Sequence, residues 1–406
     1  MRRLLLLVSC LVLVDTMLYA VLTPLLPHFV DEFGLSKTAA GLLVGAYAAG
    51  ALVGGVPGGA AAARIGARRA VLVGLTLMGL SSLGFAFADG FWTLFAARFL
   101  QGCGSAFTWA GSFSWLLAAA PRARRGELIG SALGAAVFGA LFGPVLGAAA
   151  ALAGRAVVFS ALALVAALLA VWTLRLKSIS PQQPPSTAAV LRALRDPLFL
   201  GGLGLMTLPA FLFGVVSVLG PLRLADAGWG AAAIGIVWLV GAGIEAVLSP
   251  VVGRVADRRG RMLPVRTSLV LSILVSLALA AGPRPLFYVP LITVGAAAYG
   301  VLFTPAFALI ADGAERVGLP QGMAFGLMNA AWATGALVGP AAGGAIAAAT
   351  GDVVPFLISA ALCTAGLAAL PLRHRRAAAL VDGLPADSAR LGRDEPGDRA
   401  GDVLGL

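Results

Sequence analysis

The sequence predicts an all-α membrane protein of twelve transmembrane helices arranged as two pseudo-symmetric six-helix bundles. Three observations carry that expectation. Hydrophobic residues make up 60% of the 406 and charged ones only 12%, at a mean hydropathy of +0.96, a balance that water-soluble globules do not show. A glycine-proline pattern occurs twice: Gly130, Gly139, Gly143, Pro144 and Gly147 return as Gly326, Gly335, Gly339, Pro340 and Gly343, each shifted by 196 residues. Apolar runs of about 20 residues, the length that crosses a hydrocarbon core, fall six on each side of a polar stretch.

In the first half the runs cover roughly 4–26, 39–61, 70–88, 91–118, 128–152 and 156–174. The second half supplies 198–220, 231–253, 265–282, 286–311, 322–346 and 353–372. Two loop sets alternate between them. One holds only Lys37, Arg155, Arg223 and Arg284, whereas the other, with both termini, holds twenty-four Arg and Lys. Basic residues are retained on the cytoplasmic side, so both termini are expected inside a plasma membrane crossed many times. The formal charge of +11 arises from these short loops and not from a basic domain, which argues against nucleic-acid binding.

The expected organisation is a first bundle over 1–174, a cytoplasmic linker over 175–197 around Pro181, Pro184 and Pro185, a second bundle over 198–372, and a disordered cytoplasmic tail over 373–406 of mixed charge without apolar period. The opening MRRLLLLVSC could pass for a signal peptide, but its apolar run is short for one, and its loss would leave the first half one helix short. Cys10, Cys103 and Cys363 stand singly in three spans, without the spacing of a metal site or a redox pair.

The motifs come next. Gly139, Gly143 and Gly147 lie four residues apart on one helix face, where the missing side chains let another backbone approach. Pro144 removes a backbone donor there and invites a kink. The same holds for Gly335, Gly339, Pro340 and Gly343, and the duplication points to a hinge or gate where the halves meet. A second repeat follows the second span of each half: Gly59, Arg64 and Gly66 correspond, 194 residues on, to Gly253, Arg258 and Gly260, with Asp257 and Arg261 in the later copy.

With Gly253-x-x-x-Asp257-Arg258-x-Gly260-Arg261, the chain resembles the major facilitator superfamily, whose signature loop between helices two and three has this form and recurs between helices eight and nine. The resemblance implies a cytoplasmic latch in which Asp257 pairs with neighbouring helix ends. The first copy carries Ala63 and Ala67 at the Asp and final basic positions, so its latch is expected to be weak or absent. Arg98-x-x-Gln101-Gly102-x-Gly104 resembles the helix-four motif of that superfamily's proton-coupled antiporters, and the glycine-proline stretch resembles the antiporter signature.

Charges within the spans are costly, about 2.5–3.5 kcal/mol on insertion scales, and so face a cavity or a partner. Asp15 lies mid-span in a segment, Asp15-Thr-Met-Leu-Tyr-Ala-Val-Leu-Thr-Pro24, similar to the first helix of drug-proton antiporters and vesicular amine transporters. The resemblance implies proton or cation binding there, and one buried carboxyl can trade a proton for a cationic substrate. The bland alternative is a structural partner for Arg98. A rise of 1.5 Å per residue places Arg98 about 10 Å nearer the outer face, which leaves direct pairing open.

Glu245, mid-way along the eighth span, is a second protonatable candidate or a neutral acid bonded within the bundle. Asp312 falls where the vesicular amine transporters carry a helix-ten carboxylate, but neighbouring Glu315 and Arg316 also fit a plain helix-end charge. Asn329, the one asparagine in the chain, falls where those transporters have an Asp in helix eleven, and an amide carries no proton.

The expected function is therefore a secondary transporter, with proton-coupled efflux of small hydrophobic or cationic compounds as the reading, and a proton-coupled metabolite importer as the alternative. Its expected partners are the bilayer, protons and a small-molecule substrate; no cofactor, metal or nucleic acid is expected, and a monomer is. A polytopic membrane enzyme is disfavoured, since His28 and His374 lie outside any His-Glu-x-x-His or in-membrane Ser-His arrangement.

Overall fold

The computed structural model describes residues 1–121, 125–178, 187–260, 262–282, 284–319 and 321–381. The helices of the first half are α1 (Arg2–Ala20), α2 (Leu22–Phe33), α3 (Lys37–Arg64), α4 (Ala67–Ala86), α5 (Phe91–Ala119), α6 (Arg125–Ala153) and α7 (Arg155–Arg175). A short α8 (Thr187–Ala193) precedes α9 (Pro197–Asp226), α10 (Ala231–Arg259), α11 (Met262–Ala280), α12 (Pro285–Gly300), α13 (Phe303–Arg316), α14 (Gln321–Thr350) and α15 (Val353–Val381).

The helix α1 and its continuation α2 form one apolar column, as do α12 and α13. Proline explains both breaks: Pro24 has no N–H for the carbonyl of Ala20, and Pro305 none for that of Val301, so the chain loosens one turn before each. Among the described residues, eleven columns are long and apolar enough to span a membrane on hydropathy alone. The twelfth is α5, 29 residues long, whose apolar character is diluted by Arg98, Gln101, Ser105, Thr108 and Ser112 along its buried side. The most polar of the columns is the one that supplies two of the three donors to Asp15.

Polar caps and glycine turns delimit the columns. The Ser36 hydroxyl accepts from the Ala39 amide at 3.2 Å to open α3, and the Asp196 carboxylate accepts from the Leu198 and Phe199 amides at 2.9 Å to open α9. The duplication reappears in the turns. Gly34 and Gly228, Gly66 and Gly260, and Gly154 and Gly351 all hold positive φ, at separations of 194, 194 and 197 residues. Gly66 (φ 92°, ψ 152°) and Gly260 (φ 86°, ψ 149°) are nearly superposable turns, a conformation that costs side-chain-bearing residues dearly.

Packing repeats as well. In the first half α1 lies on α6, α4 on α7, and α5 between α3 and α4; in the second, α9 lies on α14 and α11 on α15. The halves meet where α3 packs on α14 and α6 on α10. This seam is tight at the end bearing Lys37. A methyl added at Gly41 would collide with the Pro340 carbonyl, one at Gly344 with the Lys37 carbonyl, and one at Gly45 would sit 3.1 Å from the Leu337 carbonyl.

Toward the end bearing Met1 the same faces separate. A methyl added at Gly55 or Gly59 of α3, or at Gly326 of α14, would meet nothing within 4 Å, and Val56 is 82% exposed. At the Lys37 end an ion pair ties the halves: Lys37 Nζ donates to Asp352 Oδ1 at 2.5 Å, with Arg223 3.7 Å from the other carboxylate oxygen. Helix α15 continues to Val381; the remainder of the expected tail, 382–406, and the middle of the expected linker, 179–186, lie outside the described residues.

Candidate functional site

Two acidic centres sit inside the bundle, one per half, and they differ in every respect that matters chemically.

The first surrounds Asp15, 2% exposed. Its Oδ1 accepts from the Tyr47 hydroxyl of α3 at 2.8 Å. Its Oδ2 accepts from the Ser105 hydroxyl at 3.0 Å and from the Trp109 indole N–H at 2.6 Å, both on α5. Positions 98, 101, 105 and 109 recur every three or four residues and so occupy one face of α5, aimed at α1. Close helix approach makes this possible: methyls added at Gly50 or Gly102 would strike the Phe99 and Tyr47 carbonyls. An anionic carboxylate with three donors is well satisfied without any ligand.

Arg98, 1% exposed, does not pair with Asp15. Its guanidinium donates to the Leu18 carbonyl at 2.6 Å, the Tyr19 carbonyl at 2.9 Å and Gln101 Oε1 at 3.1 Å. It also lies 5.0 Å from the centre of the Tyr47 ring. These carbonyls end α1 just before the Val21 break, where the helix dipole favours a cation. Arg98 Nε and Gln101 Nε2 remain without a partner. Tyr19 covers the centre, its ring 5.3 Å from Tyr47 and 5.1 Å from Trp332 of α14, so the first-half site touches the second half across the seam.

The second centre is Glu245 of α10. It is half-buried and lines a cavity of about 60 Å³ with Phe213, Trp238, Ile292, Ala296 and Tyr299. Phe213 stacks on Phe303, centroids 6.3 Å apart and planes parallel within 1°. Among the described residues no donor or cation is within bonding reach of the Glu245 carboxyl; its backbone carbonyl accepts from Ser249 at 2.8 Å.

The remaining expected site residues spread more widely. Asn329 is half-buried on the α14 face that turns toward α3, one turn from Trp332, while Asp312 is half-buried on α13. Neighbouring Arg316 is 3.4 Å from Asp196, the α9 cap. In the glycine-proline stretches, the glycines face their own half: Gly139, Gly143 and Gly147 close on Thr16, Ala20 and Val21 of the α1/α2 column, and Gly335, Gly339 and Gly343 on Thr207, Phe211 and Val215 of α9. The proline carbonyls face the opposite half, that of Pro144 3.0 Å from a methyl added at Gly235 and that of Pro340 against Gly41, while the Pro340 nitrogen and ring also press on Gly214 of α9. Each motif thus clamps its helix to its own bundle and presents a proline carbonyl to the seam.

In the loop repeat, Gly66 and Gly260 make the turns, Arg64 and Arg258 are exposed, and Gly59 and Gly253 have room to spare. The Asp257 side chain and Arg261 lie outside the described residues. Arg68 donates instead to the Leu176 carbonyl at 3.2 Å, joining the α4 start to the α7 end. No group of three His, Cys, Asp or Glu that could hold a metal occurs among the described residues.

Comparison with known proteins gives three findings. A family model described as Major Facilitator Superfamily matches residues 8–322. The chain is 41% identical over 115 residues to a protein of Danio rerio named probable vesicular acetylcholine transporter-B, a match spanning 26% of this chain and only 23% of that relative. Among solved structures, a D-xylose-proton symporter superposes with a TM-score of 0.70 over 90% of this chain and 95% of the other, at 17% identity, a likeness of fold.

Proposed function

This chain belongs to the major facilitator superfamily, and from that premise we propose that it is a proton-coupled secondary transporter that expels small hydrophobic or cationic compounds from the cell by alternating access. It resides in the plasma membrane with both termini in the cytoplasm. The observation that carries the reading is Asp15: a carboxylate buried mid-way along α1, held by donors from two other helices and covered by an aromatic pair, Tyr19 and Trp332, that bridges the two halves. A change of charge on Asp15 alters its bonds to α3 and α5, and through Tyr47 and Tyr19 it reaches the seam.

The seam itself supports alternation. It is sealed at the Lys37 end by glycine-proline contacts and an ion pair, whereas at the Met1 end α3 and α14 part and the halves touch through Phe113 and Phe325, ring centroids 6.1 Å apart. With the termini inside, the looser end faces the cytoplasm, the side from which the substrate of an exporter loads. Each proton charge crossing 100 mV releases about 2.3 kcal/mol, enough for a roughly 50-fold gradient at 1.4 kcal/mol per tenfold. The fragmentary likeness to a vesicular acetylcholine transporter, whose name concerns a cation, is consistent with cationic cargo.

The test is gradient-driven uptake of a fluorescent organic cation into inverted vesicles, wild type against Asp15→Asn. Uptake that collapses in the variant is expected. Uptake by the wild type only when the gradient is reversed would replace export by import, and unaltered uptake by Asp15→Asn would remove Asp15 from the coupling.

A further inference from the structure

The two acids face opposite problems. Asp15 has three donors on its two oxygens, so whenever it is ionised its charge is met by the protein's own groups. Glu245 has neither donor nor cation among the described residues, in a chamber whose walls are apolar or aromatic. A carboxylate so placed is too costly to persist alone. The chamber therefore holds either the protonated acid or the anion together with a cation.

The walls say which cation. Phe213 from α9, Trp238 from α10 itself and Tyr299 from α12 present ring surface around the acid, the arrangement that attracts ammonium groups. Tyr299 is the one other titratable group among the lining residues, and its hydroxyl is engaged with Ser276 at 3.3 Å; against the glycines of α10, α6 brings the uncharged Leu141, Pro144 and Ala148. The space exists because Gly300 lacks a side chain, for a methyl there would fall on the Glu245 carboxyl. At about 60 Å³ the chamber exceeds the roughly 10–15 Å³ that a single water requires, so a small ammonium head has room in it.

We propose, building on the transport reading, that the Glu245 chamber is the exchange site of this protein: an ammonium head enters, the Glu245 carboxyl gives up its proton to water at the looser end of the seam, and the resulting carboxylate pairs with the ammonium. The proton lost balances the charge gained, so the occupied chamber is neutral in both states. Exchange of proton for cargo then takes place in the second half, while the charge on Asp15 governs the bonds that reach the seam from the first.

The experiment uses the purified full chain in weakly buffered detergent at neutral pH, with a pH-indicator dye and two probes that differ only in the head group, benzylamine as its cation and the neutral benzyl alcohol. Benzylamine is expected to release about one proton per protein and benzyl alcohol none. Release should vanish in Glu245→Gln, and also in Gly300→Ala, which keeps the acid but drives a methyl into the place its carboxyl occupies. Absence of release from the wild type with benzylamine overturns the assignment, as does release that persists in Glu245→Gln or equal release by both probes. Should Glu245→Gln fail to fold, the head-group comparison on the wild type and Gly300→Ala decides. Release requires no gradient, so failure of driven uptake with release intact would defeat the transport reading alone.

Discussion

Replacing Asp352 by Asn should open the seam at the Lys37 end. Asp352 is the single anion between two cations from different helices, Lys37 at 2.5 Å and Arg223 at 3.7 Å. The side chains of Lys37, Arg223 and Asp352 are 35%, 31% and 16% exposed, so the contact lies between an exposed pair, worth about 0.2–1 kcal/mol, and a buried charged hydrogen bond, worth about 1.5–3 kcal/mol. An intermediate value of about 1.5 kcal/mol corresponds to roughly a tenfold change in the closed-to-open ratio. The loss also leaves Lys37 facing Arg223 with no anion between them, which adds to the effect.

Spin labels at Asp31→Cys and Thr350→Cys, both exposed positions flanking the seam, report the distance across it once Cys10, Cys103 and Cys363 are replaced by serine. The parent should give one short distance, and Asp352→Asn a second, longer population about tenfold enriched. Raising the salt concentration should move the parent part of the way, because exposed charges are screened. An unchanged distance distribution in Asp352→Asn would show that the glycine-proline contacts alone hold the seam, and the ion-pair argument would fall.

Three further outcomes follow from local geometry. Gly102→Ala should lower the thermal midpoint in detergent, by about 1–3 kcal/mol of stability, since the methyl strikes the Tyr47 carbonyl. Gly66→Ala should cost about 1–3 kcal/mol through its φ of 92°, whereas Gly59→Ala, in open space within a helix, should be neutral or slightly stabilising; equal losses in the two, by denaturant titration, would contradict this. Arg98→Lys should be destabilising by about 2 kcal/mol or more, because an ammonium cannot span the Leu18 and Tyr19 carbonyls and Gln101 together, and a wild-type thermal midpoint would refute it.

Much of this molecule can be read directly in its sequence, because membrane helices advertise themselves by composition and a duplication by spacing. The breaks at Pro24 and Pro305, the turns at Gly66 and Gly260, and the in-span charges Asp15, Arg98 and Glu245 all carry local signals. The polar stripe at Arg98, Gln101, Ser105 and Trp109 was available too, as a three-and-four spacing on one helix face. What spacing alone cannot supply is partnership. That Arg98 binds carbonyls of α1 and not Asp15 depends on where the Pro24 break falls, and that Asp15 meets Tyr47 depends on how closely Gly50 and Gly102 let α3 and α5 approach. The link between Lys37 and Asp352 spans 315 residues and has no trace in either neighbourhood.

The way Arg98 is held has a consequence for the membrane that houses this protein. Its charge is anchored to peptide carbonyls, which neither titrate nor leave, so it stays positive at every stage of a transport cycle whatever Asp15 and Glu245 carry. A charge held this way must enter the bilayer together with the carbonyls that hold it, because alone it would be too costly there. Helix α5, the one column too polar to be marked by hydropathy, therefore rests in the membrane as a docked partner of α1 and not as an independent span.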